Sequence, residues 1–261
     1  REVFVQLPQG LQDFLLRTSV ANTLTVPLMA ALTGLPTDSL RDRPSVAARV
    51  RELRRRNLFI NTDENGTVTC YHASFRDFLR RQLPARFPSG DIVLLFNRAA
   101  DHALAEGDVA GATELYIASG QHPRAVRTIE RSIHDLLAQG RSRTVLRLVQ
   151  SLPPSLQDRP WFLFSRAVAS RFTEPRTSLA LYDRVLSRFR ADGNGAGQML
   201  ALAGIIEACF HSGGDFARMQ RAAVRAQALL RSRHRASSPA RGRLLLALGT
   251  AWFFIGQLDR G

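Results

Sequence analysis

Six histidines, two cysteines and a large set of arginines carry most of the side chains in this 261-residue chain that could do chemistry. The histidines are His72, His102, His122, His134, His211 and His234, and they show no metal-ligand spacing. No Ser/His/Asp or paired-carboxylate constellation accompanies them, which speaks against catalysis. His72 differs in its setting. It follows the β-prone run Val68-Thr69-Cys70-Tyr71 and precedes a helical pattern, so it falls at a strand-to-helix junction. At such a junction an imidazole can point out of the core while the first turn of the helix offers free backbone N–H groups. A phosphate is well received there. The alternative is a histidine packed at the helix start and bonding its own backbone. His102 and His211 fall in helix pairs or beside their turns and read as structural.

The chain contains no lysine, so all 36 basic residues are arginine and the formal net charge is +14. Guanidinium cannot form a Schiff base and does not serve as a routine general base, which removes whole classes of enzyme. A phosphate loop of the form Gly-x-x-x-x-Gly-Lys-Ser/Thr is also ruled out. The Gly193-Asn194-Gly195-Ala196-Gly197 stretch lacks that motif and reads as a flexible connector between helices. The basic balance admits a nucleic-acid or anionic partner. The arginines are scattered along every helix, often with Asp or Glu nearby, which favours solvated helix faces. Cys70 and Cys209 are far apart and read as small buried apolar residues of a cytoplasmic protein rather than a disulfide. No apolar run reaches the roughly 18–20 residues of a membrane span.

These residues need elements to hold them. Leu7, Leu11, Phe14, Leu15 and Val20 recur near helical spacing, and Pro27–Leu32 makes a short helix stopped by Gly34 and Pro36. Ser45–Arg56 is a third helix, with Val46, Val50 and Leu53 on one side and Arg49, Arg51, Arg54, Arg55 and Arg56 crowding it. Asn57 breaks that pattern. Leu58-Phe59-Ile60 and Val68–Tyr71 flank the turn-rich Asp63-Glu64-Asn65-Gly66 and read as a hairpin. A fourth helix runs from Ala73 to Leu83, ended by Pro84. Three helices, a two-stranded wing and a closing helix make a winged-helix plan over residues 1–87.

Beyond Gly90 the pattern is helical throughout, broken at Gly107-Asp108-Val109, Thr173-Glu174-Pro175, Gly214-Asp215-Phe216 and Gly256-Gln257-Leu258. The last three breaks lie about 41 or 42 residues apart, longer than the roughly 34 of a minimal tetratricopeptide (TPR) repeat. Leu248-Gly249-x-x-Trp252 before Gly256-x-Leu258 has the spacing of a TPR first helix and turn. Gly249 would permit close helix packing and Trp252 would fill the groove between units. In the preceding unit Phe210 takes the aromatic place and Glu207 stands where glycine is expected. The fold expected is mainly α: a winged helix (1–87), a helical arm (88–157) and an α-solenoid of TPR-like antiparallel helix pairs (158–261). Arg1 and Gly261 both read as cuts in a larger protein.

The stretch Tyr71-His72-Ala73-Ser74-Phe75-Arg76-Asp77-Phe78-Leu79 resembles the winged-helix signature of STAND ATPases, His-x-x-x-x-Asp/Glu-Phe-Leu, as found in the large ATP-binding LuxR regulators related to the maltose activator. Phe14–Val20, Leu24-Thr25-x-Pro27-Leu28, Ala31-Leu32-Thr33-Gly34 and Arg55-Arg56-Asn57-Leu58-Phe59 fall in that family's order. The resemblance implies a signal-dependent transcriptional regulator in which His72 contacts the β-phosphate of ADP and holds the resting state closed. It implies ADP or ATP with Mg in the intact protein, supplied by an upstream nucleotide-binding domain, and none in this chain. Ala73 departs from the Asp that follows the histidine in some STAND families. Phe75, Phe78 and Leu79 are expected to face the core.

Two other readings remain open. Arg49, Arg54, Arg55 and Arg56 occupy the usual recognition helix of a DNA-binding winged helix, but the Asp63-Glu64 wing tip has the wrong sign for a phosphate contact. The same arginines suit an interdomain surface, with DNA bound only through a domain outside this chain. The helical array could instead be a scaffold holding a protein partner rather than a small inducer.

Overall fold

The computed structural model describes residues 2–38, 44–56, 60–62, 68–213, 215–232 and 239–256. The expected Asn57, Leu58 and Phe59, the wing tip Asp63–Asn65 with Gly66, and Gly214, His234, Gln257 and Leu258 lie outside them. The chain divides into two compact units, Arg1–Thr128 and Ile129–Gly261.

In the first unit a short helix α1 (Glu2–Val5) precedes α2 (Gln9–Thr18), α3 (Val26–Thr33) and α4 (Val46–Arg55). Strands β1 (Ile60–Thr62) and β2 (Val68–Tyr71) follow, then α5 (Ala73–Arg86). The helix starts are written locally. Thr25 Oγ1 accepts from the Leu28 N–H at 3.3 Å, with Pro27 in the first turn, and Ser45 Oγ accepts from Ala48 N–H at 3.1 Å. The strands pair antiparallel with Ile60 opposite Tyr71 and Asn61 opposite Cys70, and the register shifts after Asn61. Leu11, Phe14 and Leu15 of α2, Met29 and Leu32 of α3, Val46 and Leu53 of α4 and Leu79 of α5 are buried. Each such side chain removes enough apolar surface from water to contribute about 1.5–3 kcal/mol. This is the expected winged helix.

Two details differ from expectation. Pro84 does not end α5, which runs to Arg86 with the Phe87 N–H donating to the Leu83 carbonyl at 2.9 Å. Proline withholds one bond and crowds the preceding turn, but so near an exposed helix end the later N–H groups still close. Cys70 is half-exposed rather than buried, because strand alternation turns it to the opposite side from buried Tyr71. Asn61 Nδ2 donates to its sulfur at 3.3 Å.

Helices α6 (Ser89–Ala105) and α7 (Val109–Ala118) pack as a pair in the same unit. Asp108 Oδ1 caps α7 through the Gly111 N–H at 2.9 Å, and Ala112 is buried, as the Gly-Asp break suggested. Tyr116 donates to Asp101 Oδ1 at 2.5 Å, and Arg124 donates to the same oxygen at 2.9 Å. Burial, then the Asp101 bond, pushes the Tyr116 hydroxyl up to about 12. The division between the units falls inside α8 (His122–Ala138).

The second unit continues with α9 (Ser142–Gln150), a 3-10 turn (Pro154–Leu156), α10 (Pro160–Ser170), α11 (Pro175–Ala191), α12 (Gly195–His211), α13 (Phe216–Ser232) and α14 (Pro239–Phe254). Among the described residues no strand follows Tyr71. Each helix packs on the next from α9 to α14, and α12 also packs on α10 and α14. The first helices of successive pairs therefore stack directly, which is the arrangement of a helical-repeat array. As the middle of the stack, α12 is largely apolar, burying Leu202, Ile205, Ile206 and Cys209. Burial pushes the Cys209 thiol up to about 11.

Only Gly193 and Asn194 of the glycine-rich stretch lie between helices. Asn194 Oδ1 accepts from the Gly197 N–H at 2.9 Å, so Gly195–Gly197 form the first turn of α12. Gly249 makes no close packing, since a Cβ there would meet nothing within 4 Å among the described residues. Gly204 does that work instead: its added Cβ would collide with the ring of Tyr182. Trp252 is buried as expected, whereas Phe210 is 43% exposed. Glu207 holds Arg171 at 2.5 Å and Arg243 at 3.0 Å, so the residue in the glycine's place ties α12 to the end of α10 and to α14.

Candidate functional site

His72 occupies the position that the strand before it dictates. Tyr71 points into the core, 2% exposed, and alternation puts the next side chain outside. His72 is exposed, with φ −52° and ψ 137°, and is the N-cap residue of α5. Its carbonyl accepts from the Arg76 N–H at 2.9 Å, but its imidazole makes no capping bond. The first-turn N–H groups of α5 thus receive no side-chain acceptor from it, and no acidic residue sits in that turn. A histidine bonding its own backbone is not what the geometry holds.

The helix behind His72 is firmly anchored. Arg80, two turns on, donates from Nε to the Ser19 carbonyl at 2.9 Å and from Nη2 to the Val20 carbonyl at 2.5 Å and Asn22 Oδ1 at 3.2 Å. It answers the unpaired carbonyls at the end of α2. Burial lowers the Arg80 pKa, and neighbouring Arg76 lowers it further, while Asp77 opposes them. Arg86 pairs with Asp13 at 3.0 Å, and Arg17 lies 4.9 Å over the Phe87 ring. Leu79 is fully buried as expected. Phe75 and Phe78 are half-buried, stacked on each other and packed edge-on against Tyr71 and Phe4 respectively.

The arginines of α4 separate into two sets. Arg49 lies inward: it donates to Glu52 at 3.3 Å, and a Cβ at Gly10 would lie 2.6 Å from its Nη2. Arg54, Arg55 and Arg56 are exposed at the end of α4, with Arg56 held by Glu52 at 3.3 Å. His72 shares no hydrogen bond or ion pair with any of the four. Among the described residues there is no cluster of His, Cys, Asp or Glu able to hold a metal ion.

Sequence reasoning missed Arg80 and the bond from Tyr71 to Thr18, which is 2.6 Å long. Arg80 lies eight residues after His72, the only signal being an arginine on the buried side of an otherwise amphipathic helix. It also missed the arginines Arg218, Arg221 and Arg225 on α13, which face one cleft with Asp183 and Asp215.

Fold and site together define a winged helix joined to an array of packed helices. Residues 1–90 match the family model described as the MalT winged helix domain. The N-terminal part of the chain is thus similar to the winged helix of a MalT-like regulator. The chain is also 31% identical over 151 residues to the serine/threonine-protein kinase PknK of Mycobacterium tuberculosis and of Mycobacterium bovis, an alignment covering 58% of this chain and 13% of each kinase. The chain therefore spans only a small part of the curated relatives it matches. No solved structure matches it. No helix among the described residues is long and apolar enough to cross a membrane.

Proposed function

We propose that this chain is the non-catalytic coupling and sensing portion of a signal-dependent, MalT-like transcriptional regulator of the STAND type. The winged helix (1–87) and helical arm (88–157) link TPR-like repeats (158–261) to an upstream nucleotide-binding domain of a cytoplasmic protein. ADP, or ATP with Mg, is bound by that domain, and His72 reaches the β-phosphate of ADP in the resting state. DNA is bound through a domain outside this chain, and Arg54, Arg55 and Arg56 serve an interdomain surface. The single observation that carries the reading is His72: an exposed imidazole, uncommitted to its own helix, beside the first-turn N–H groups of α5. The match of residues 1–90 to the MalT winged helix domain supports the MalT-like regulator class. Kinase chemistry is not carried over from PknK, because the lysine that pairs the nucleotide phosphates in a kinase has no counterpart in a chain without lysine.

The test is His72→Ala in the full-length protein. A charge-assisted bond to phosphate, made only in the closed state, is worth roughly 1.5–3 kcal/mol. Its loss raises inducer-independent activity and speeds ADP release by about tenfold or more, with an unchanged melting temperature. Unchanged basal activity with a lowered melting temperature would sink the switch.

A second reading, a scaffold holding a protein partner, draws on the array's exposed aromatics. Phe172, Phe210 and Phe254 are 65%, 43% and 43% exposed, and the Phe210 and Phe254 rings lie 4.7 Å apart.

A further inference from the structure

A cleft of about 280 Å³ opens between α11, α12 and α13, entirely within the second unit. Three guanidinium groups line it, those of Arg218, Arg221 and Arg225, whose spacing places them along one face of α13. Two carboxylates also line it, Asp183 and Asp215, and both are already engaged. Arg218 Nη2 donates to Asp183 and, at 3.4 Å, to the Leu179 carbonyl. Asp215 Oδ1 accepts from the Arg218 backbone N–H at 3.0 Å and so caps α13. Arg221 and Arg225 are exposed and make no hydrogen bond or ion pair among the described residues.

Some arginines of the unit are paired, whereas Arg221 and Arg225, like Arg141, Arg143 and Arg176, have no ion pair among the described residues. Arg184 and Arg188 both find Asp158, Arg171 and Arg243 both find Glu207, and Arg159 finds Glu130. Like charges one helical turn apart destabilise the helix that carries them. The Asp183 and Asp215 carboxylates in the same lining offset part of that repulsion, and the pair borders a cleft floored by Leu202 and Ile205, each 3% exposed. An apolar floor lowers the local dielectric and strengthens attraction for an anion.

We infer that this cleft binds a small organic anion, a phosphomonoester or a carboxylate, through Arg221 and Arg225, with Arg218 held in place by Asp183. Planar guanidinium forks match both oxyanion types in bidentate fashion. The volume lies near the lower end of the roughly 300–1,000 Å³ of small-molecule pockets. The two carboxylates on the walls disfavour a nucleic-acid backbone tracking past the cleft. The inference stands on this cleft and is independent of the regulator reading.

Titration calorimetry of the full chain with inorganic phosphate, and separately with succinate, tests it at an ionic strength held constant with chloride. Saturable binding of one equivalent of either probe is expected. Phosphate alone assigns the phosphomonoester class, and succinate alone the carboxylate class. The double variant Arg221→Gln/Arg225→Gln should weaken binding about tenfold or more. Its melting temperature should not fall, because neither side chain makes a bond. The charge-matched control Arg141→Gln/Arg143→Gln should bind as the parent does. Absence of saturable binding with both probes overturns the inference. So does equal weakening in the two double variants, which would assign the effect to diffuse arginine charge.

Discussion

The hydroxyls of Tyr71 and Thr18 lie 2.6 Å apart in the core, joining the second strand of the wing to the end of α2 across 53 residues of sequence. Thr18 Oγ1 also donates to the Phe14 carbonyl at 2.7 Å, which leaves Tyr71 as the donor between the two hydroxyls. Burial raises the Tyr71 pKa, opposed by the Thr18 bond, so the phenol stays protonated and able to donate. Tyr71→Phe should cost about 1 kcal/mol, because Thr18 keeps its backbone partner. Tyr71→Ala should cost about 3–5 kcal/mol through the cavity it leaves. Urea unfolding measures both, and equal losses would show that the hydroxyl rather than the ring holds the wing.

Arg80 is expected to be the most sensitive charged residue of the winged helix. Arg80→Ala strands the Ser19 and Val20 carbonyls and removes the stack on Phe96, with a loss of about 2–4 kcal/mol. Arg80→Lys should recover little, since an ammonium cannot reach two carbonyls and Asn22 in one plane. A lysine variant melting like the parent would contradict this account.

Two glycines on stacked helices should respond oppositely to alanine. Gly204→Ala drives a methyl into the buried Tyr182 ring and should destabilise by about 1–3 kcal/mol. Gly249→Ala meets open space and should stabilise α14 by up to about 1 kcal/mol through helix propensity. Paired thermal melts decide the matter; the reverse order would mean that Gly249 is the packing glycine.

Acidification should weaken the second unit through His134. Its ring packs edge-on to Trp161 at 4.3 Å although the residue as a whole is exposed. Burial of the ring lowers its pKa below the ordinary 6.5, against the pull of Asp135. Below that ordinary value the unfolded chain binds the proton more readily than the folded one. The contribution is therefore complete above about pH 6.5 and is lost as pH falls through the folded pKa. Melting temperature should fall between pH 7.5 and 5.5, and His134→Gln should flatten part of that slope. An unaltered slope would assign the loss to other groups.

Residue order alone determined a good deal. The helix starts at Thr25, Ser45 and Asp108 are set by oxygens that cap N–H groups three residues away, so they are legible in one dimension. Strand alternation likewise sets Tyr71 on the opposite side from Cys70 and His72, but only packing decided that Tyr71 rather than Cys70 faces the core. The connector reading failed for Gly195–Gly197 because glycine propensity is weak beside an asparagine cap and a bed of apolar contacts. Which glycine lets two helices touch depends on what faces it, and Tyr182 faces Gly204 rather than Gly249. The partners of Arg80, Glu207 and Tyr71 lie tens of residues away, and the openness of the Arg221 and Arg225 pair depends on which acids Arg218 has already taken. Local chemistry is written along the chain, whereas pairing across it is decided only when tertiary packing sets the distances.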